Sequence, residues 1–118
     1  MHHGVSDGDR YSRFYQKIAN ANLVGSARVI LESNILGASC ARVCPTEVLC
    51  EGACVMLDRD EKPIKIGRLQ RYATDALWEK KANPFPKTPK RNGKKVALVG
   101  SGPAGLGCAA ELARLGYQ

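Results

Sequence analysis

No apolar stretch of this chain approaches the ~20 residues that a bilayer-spanning helix needs, so a membrane role is not expected. The opening residues MHHGVSDGDR hold no apolar segment of the secretory type, and the His2-His3 pair is either native or the remnant of a tag. The expected home is therefore a reducing cytoplasm, where cysteines stay thiols unless a metal holds them. Aromatic residues are scarce, at 6%. The basic region from Arg59 to Lys95 has only Tyr72, Trp78 and Phe85, without a groove-reading motif, so nucleic acid is not the expected partner of the +7 net charge. That charge reads as solvated surface that can steer an acidic protein or the phosphates of a nucleotide. No catalytic acid, base or nucleophile stands out.

What the chain has in excess is cysteine, concentrated in one place. Cys40, Cys44, Cys50 and Cys54 fall within LGASCARVCPTEVLCEGAC, leaving only Cys108 elsewhere. A core has no need of thiols at that density, whereas a soft metal centre needs several thiolates converging. The spacing C-x3-C-x5-C-x3-C is neither the C-x2-C pairing of zinc ribbons nor the C-x2-C-x2-C pattern of bacterial ferredoxins. The spacing leaves the metal open.

Before this stretch, Phe14, Ile18, Leu23, Ala27, Ile30 and Leu31 recur at helical steps, predicting a hairpin of two amphipathic helices interrupted around Asn20, Asn22 and Gly25. Ser12 or Asp9 is placed to cap the first, and Glu32-Ser33-Asn34 closes the second. Tyr11, Phe14 and Tyr15 are expected in the hairpin core. After Pro45, Thr46 is expected to cap a short helix that sets Cys50 and Cys54 one turn apart on a single face, with Glu51 exposed. Residues 57–65 read as charged and irregular. A long helix is predicted from Ile66 to Ala82, its stripe formed by Ile66, Leu69, Tyr72, Ala73, Leu77 and Trp78. Gln70 lies at the edge of that stripe, where its chemistry alone marks it as surface.

The segment 83–93, with Pro84, Pro86 and Pro89 among Lys87, Lys90 and Arg91, reads as a semi-rigid basic linker. Beyond it, VALV from Val96 to Val99 is typical of a buried parallel strand, and a helical pattern runs on to Leu115, with Cys108 expected as a small buried packing residue. Between them stands G-x-G-x-x-G. Gly100 permits a tight turn, Gly102 close approach of a pyrophosphate, and Gly105 close helix–strand packing. Phosphates would sit at the helix N-terminus, which Pro103 opens and where the free N–H groups from Ala104 onward and the helix dipole favour negative charge. The acidic residue expected about twenty positions later on the next strand is missing before Gln118, so the sequence reads as a piece cut within its second domain.

The order of these parts resembles the N-terminal region of the glutamate synthase small subunit and dihydropyrimidine dehydrogenase family. CARVCPTEVLCEGAC and PIKIGRLQRYATD look closest to the dihydropyrimidine dehydrogenase branch, including its bacterial NAD-dependent small subunit. The resemblance implies a mainly α chain: an α-helical ferredoxin-like iron–sulfur domain over 1–82, the linker over 83–93, and the first βα unit of a Rossmann-like FAD-binding domain over 94–118. It implies an oxidoreductase in which electrons pass from NAD(P)H through FAD to two [4Fe-4S] clusters, beside a catalytic partner subunit or domain. On this likeness Cys44, Cys50 and Gln70 match ligands of one cluster, Cys54 matches a ligand of the other, and Cys40 matches a non-ligand position. Gly100, Gly102 and Gly105 match the FAD pyrophosphate loop. The family's further group of four cysteines has no counterpart upstream, where Val5 stands at the last of them, so the paired clusters are not expected to form in this chain by itself. The rival expectation is a helical interaction domain that docks a partner subunit and is stabilised by zinc on Cys40, Cys44, Cys50 and Cys54.

Overall fold

The computed structural model describes residues 7–85, 87 and 89–118, with side chains from Arg13 onward. The first two helices, α1 (Asp7–Ala19) and α2 (Leu23–Ser33), form the predicted hairpin. Its turn is made by Ala21 at a positive φ of 56° and by the Asn22 N–H, which donates to the Lys17 carbonyl at 2.8 Å. Asn22 then caps α2, its side-chain oxygen accepting from the Gly25 N–H at 2.9 Å. Gly25 is thus inside α2 and not a break in it. Asp9 and Ser12 likewise fall within α1 and are not its caps. Tyr11's side chain, Val5 and the His2-His3 pair lie outside the described residues, as does Pro86 in the linker.

Phe14 and Ala27 are fully enclosed where the two helices meet, and Ile30, Leu31, Ile66, Ala73 and Leu77 complete one core. Tyr15 packs beside it, its ring centre 4.0 Å from that of Phe14. Ser26 is buried at the same seam and donates its hydroxyl to the Phe14 carbonyl at 3.0 Å, so the hairpin is held by a satisfied polar bond as well as by apolar contact.

A third helix, α3 (Gly37–Val43), carries Cys40 and was not predicted as an element. Gly37 opens it against α2: a Cβ there would stand 2.5 Å from Ile30 Cγ2, so only glycine allows this approach. The long helix α4 (Ile66–Glu79) packs on both α2 and α3. Its buried positions are Ile66, Gly67, Ala73, Thr74, Ala76 and Leu77. Tyr72 and Trp78, expected on the apolar stripe, are exposed instead. The stripe is built from smaller residues because α4 is covered on two sides, and two neighbours at close range leave no room for large rings.

Arg42 of α3 makes an ion pair with Asp75 of α4, which also accepts from Arg71 at 3.4 Å. The Arg42 guanidinium is the main reason that the Asp75 carboxyl lies below its ordinary value. Past residue 85 the chain carries one more helix, α5 (Pro103–Arg114). The described residues include no strand, and Val96, Leu98 and Val99, whose pattern is that of a strand buried between neighbours, are exposed. Cys108 is exposed as well, not a packing residue. Strand burial needs neighbouring strands on either side, and the described residues supply none. Among them no helix is long and apolar enough to cross a membrane.

Two outcomes follow from this packing. A carboxyl held low in the folded state stabilises it above the ordinary Asp value near 4 and ceases to do so as pH falls through the lowered folded value. Thermal melts of wild type and Asp75→Asn should therefore differ at pH 7, and the difference should shrink as pH falls below the ordinary Asp value of about 4. A constant difference across that range would contradict the pairing. In amide hydrogen exchange, Ala27, Ile30, Ala73 and Leu77 should be the slowest positions, and residues 97–99 should exchange on the order of a hundredfold faster. Equal protection in the two regions would contradict the exposure described.

Candidate metal centre

The cysteine region is short of regular structure and is fixed by what surrounds it. Cys40, half-buried on α3, accepts a hydrogen bond from the Asn34 side-chain amide at 3.3 Å. Cys44 follows α3 in extended backbone, the conformation that a residue before proline prefers, and is exposed. After Pro45 comes a single tight turn, Thr46–Val48, and no helix joins Cys50 to Cys54. The expected one-turn spacing of these two on a helical face is therefore replaced by successive turns. Cys50 is half-buried and packs against the core, while Cys54 is buried. The Cys44 thiol is pushed above its ordinary value, first by lost hydration and then by Cys40 and Cys50 beside it. Cys44 thus lies beside both Cys40 and Cys50.

Glu51 reverses the expectation of an exposed side chain: only 6% of it is accessible. Its carboxylate accepts the Gly67 N–H in the first turn of α4 at 3.2 Å and the Lys65 ammonium at 3.4 Å. The Thr46 side chain lies beside it and also favours its ionised form. Burial pushes this carboxyl up, yet these three neighbours outweigh burial and hold it below the ordinary glutamate value. Thr46 therefore serves Glu51 and does not cap the turn that it begins. The sequence carried one signal for this arrangement. Lys65, at the N-cap of α4, has no side chain able to accept from the helix, and a helix start with no local cap must find its acceptor elsewhere.

Gly67 leaves a place for the loop. A Cβ on it would stand 2.8 Å from Thr46 Cγ2. Gln70 is half-buried three residues further on, and Thr74 is buried seven residues on, so Gly67, Gln70 and Thr74 share the side of α4 turned to the cysteine loop. Gln70 thereby shares a helix face with the residue that touches the loop.

Among the described residues no three Cys, His, Asp or Glu side chains converge to hold a metal ion. A tetrahedral zinc site needs thiolates about 2.3 Å from one centre, and the four cysteines are not gathered that tightly here. A four-iron cluster takes one donor at each iron, so its donors need not meet at a point, and soft thiols on a partly open loop suit it chemically.

The glycine turn is separate. Gly100 has a φ of +107°, and a Cβ on Gly105 would collide with the Gly100 carbonyl. Around Gly102 a Cβ would meet nothing. Pro103 and Ala104 begin α5, with Pro103 in the first turn, where its missing N–H costs nothing.

Gly67→Ala should force Thr46 away from Glu51 and lower stability by about 1–3 kcal/mol. Urea denaturation checks it, and an unchanged midpoint would show that loop and helix are not in close contact.

Residues 8–82 match the family described as dihydropyrimidine dehydrogenase domain II, 4Fe-4S cluster. Over 106 residues, 90% of its length, the chain is 46% identical to the NAD-dependent dihydropyrimidine dehydrogenase subunit PreT of Salmonella typhimurium and to the PreT homolog of Salmonella typhi. It is 45% identical to PreT of Escherichia coli K12. The chain spans a quarter of the length of these curated relatives, 25% in each case. With its helical hairpin, cysteine loop and α4 all inside the matched residues, the chain belongs to the dihydropyrimidine dehydrogenase domain II, 4Fe-4S cluster family.

Proposed function

We propose that the chain is the iron–sulfur part of an NAD(P)H-dependent flavin oxidoreductase subunit of the dihydropyrimidine dehydrogenase type. In this reading electrons pass from nicotinamide through FAD to [4Fe-4S] clusters and on to a catalytic partner subunit. The observation that carries the reading is the family match across all four helices of the cysteine domain, with the Cys44–Cys54 loop docked on the first turn of α4. Cys44, Cys50 and Gln70 would supply three of the four donors of one cluster, and Cys54 would supply one donor of another. Cys40, already accepting from Asn34, is left out. When bound, a cluster supplies one-electron chemistry at a potential set by its ligands, charge and hydration. The protein's task is to present thiols on a loop that does not move when charge arrives.

The FAD reading of residues 94–118 draws on the backbone after the linker. The Gln118 N–H donates to the Lys94 carbonyl at 3.0 Å and the Val96 N–H to the Gln118 carbonyl at 2.8 Å. That alternation is how two parallel strands begin to pair. With α5 between them it supports a nascent βαβ unit, whose glycine turn would receive the FAD pyrophosphate at Gly100, Gly102 and Gly105. The basic surface suits an acidic partner subunit, and a cytoplasmic setting suits free thiols.

Anaerobic reconstitution with iron and sulfide tests the cysteine reading. Iron and sulfide should be taken up together, short of the roughly eight irons of two complete clusters. Uptake should be lost in Cys44→Ser and Cys50→Ser and kept in Cys40→Ser. Uptake of one zinc in place of iron and sulfide, or equal dependence on all four cysteines, would overturn the assignment.

A further inference from the structure

The loop that carries Cys50 and Cys54 is knit by turns of its own, with Ala53 N–H donating to the Leu49 carbonyl at 3.0 Å and Cys54 N–H to the Glu51 carbonyl at 3.3 Å, but these bonds stay within the loop. It lacks a helix, its short turn Thr46–Val48 ends before Cys50, and Leu49 sits at an unusual φ of −112° and ψ of −112°. The core holds one side of Cys50 only. The loop's hydrogen bond to α4 among the described residues is made by the Glu51 carboxylate, between the two cysteines in sequence and nearly sealed from solvent. We propose that Glu51 is the positioning residue of the iron–sulfur site: its carboxylate fastens the Cys50–Cys54 loop to the Gly67 end of α4 and so fixes the thiols relative to Gln70.

This rests on the iron–sulfur reading above and adds a residue that is not a ligand. Three features favour a latch over a chance burial. The bond joins a charged acceptor to a helix N-terminus, where the orphan N–H groups and the dipole both favour an anion. The loop closes on itself at the same place, because the Glu51 N–H donates to the Thr46 carbonyl at 2.8 Å. The bond to α4 also requires the bare Gly67, since a side chain there would displace Thr46. Gln70 is one helical turn from this anchor, so any slack in the latch moves the loop relative to Gln70.

The test uses the whole chain with Glu51→Ala, Glu51→Gln and, as control, the exposed neighbour Glu47→Gln. In metal-free protein, iodoacetamide labelling of Cys54 should run about tenfold or more faster in Glu51→Ala, as expected when a hydrogen bond to a charged group is lost. Amide exchange at Ala27 and Ile30 should be unchanged, which separates loosening of the loop from loss of the fold. Glu51→Gln keeps an oxygen for the Gly67 N–H and should label within about threefold of wild type. After reconstitution Glu51→Gln should load iron and sulfide normally but show a raised reduction potential, because a negative charge next to a ligand has gone. A purely structural residue would leave that potential in place. Unchanged Cys54 labelling in Glu51→Ala, or an unchanged potential in Glu51→Gln, overturns the proposal. If Glu51→Ala loses its helices by circular dichroism, Glu51→Gln decides by its labelling and its potential. If the unmutated chain takes up no iron, the iron–sulfur reading fails, and the labelling comparison alone upholds or overturns the latch.

Discussion

Helix α4 begins without a cap of its own, and much of the cysteine domain is arranged around that deficit. A helix start leaves backbone N–H groups that no earlier carbonyl can reach, and a buried start must find an acceptor. Here the acceptor arrives from fifteen or so residues upstream, on the loop that carries the cysteines. One carboxylate thus joins the least regular part of the domain to its longest helix. Burying that charge is unfavourable by itself. It is tolerated because the Gly67 N–H, the Thr46 hydroxyl and the Lys65 ammonium surround it, and the net effect is a carboxyl that ionises more readily than usual.

The rest of the packing follows from where α4 must lie. It is covered by α2 on one side and α3 on another, which selects Ala73, Thr74 and Ala76 at the closest contacts and turns Tyr72 and Trp78 outward. The same economy of space puts glycine at Gly37, against Ile30, and at Gly67, against Thr46. The Arg42–Asp75 pair then ties α3 to α4 at the surface, where it contributes less than burial does. Apolar contact supplies the stability of this domain, while polar bonds decide which surfaces meet.

Much of this was legible in the sequence. The hairpin was readable because Phe14, Ala27 and Ile30 repeat at helical spacing on helices long enough to show a period, and α4 for the same reason. The glycine turn was readable because its spacing has a backbone cause, seen in the φ of Gly100 and the close approach at Gly105. What failed was whatever depended on partners distant in sequence. Glu51 looked like a surface acid because charge predicts exposure unless donors are waiting, and Gly67 and Lys65 lie too far along the chain to be seen by periodicity. The seven residues of α3 are too few to display a period, and its glycine start reads as loop. Trp78 was misplaced because a stripe shows which side of a helix is apolar and not how near its neighbours stand. The four thiols were legible as a group, but spacing could not show that Cys40 is occupied by Asn34 or that Cys54 is buried.

A consequence for the electron-transfer reading follows from the stiffness of this arrangement. A centre that changes charge in use needs surroundings that do not reorganise at each step, since fixed dipoles stabilise charge without first having to turn. A flexible loop of turns would be a poor mount for such a centre. Anchored at Cys50 by the core and at Glu51 by the α4 N-terminus, with Cys54 buried at its far end, the loop is held at three successive points. Cys44, by contrast, is exposed at the end of α3. The anchored side of the loop therefore lies against the core and α4 while Cys44 is open to solvent, and a cofactor assembled after folding would be seated against the anchored side.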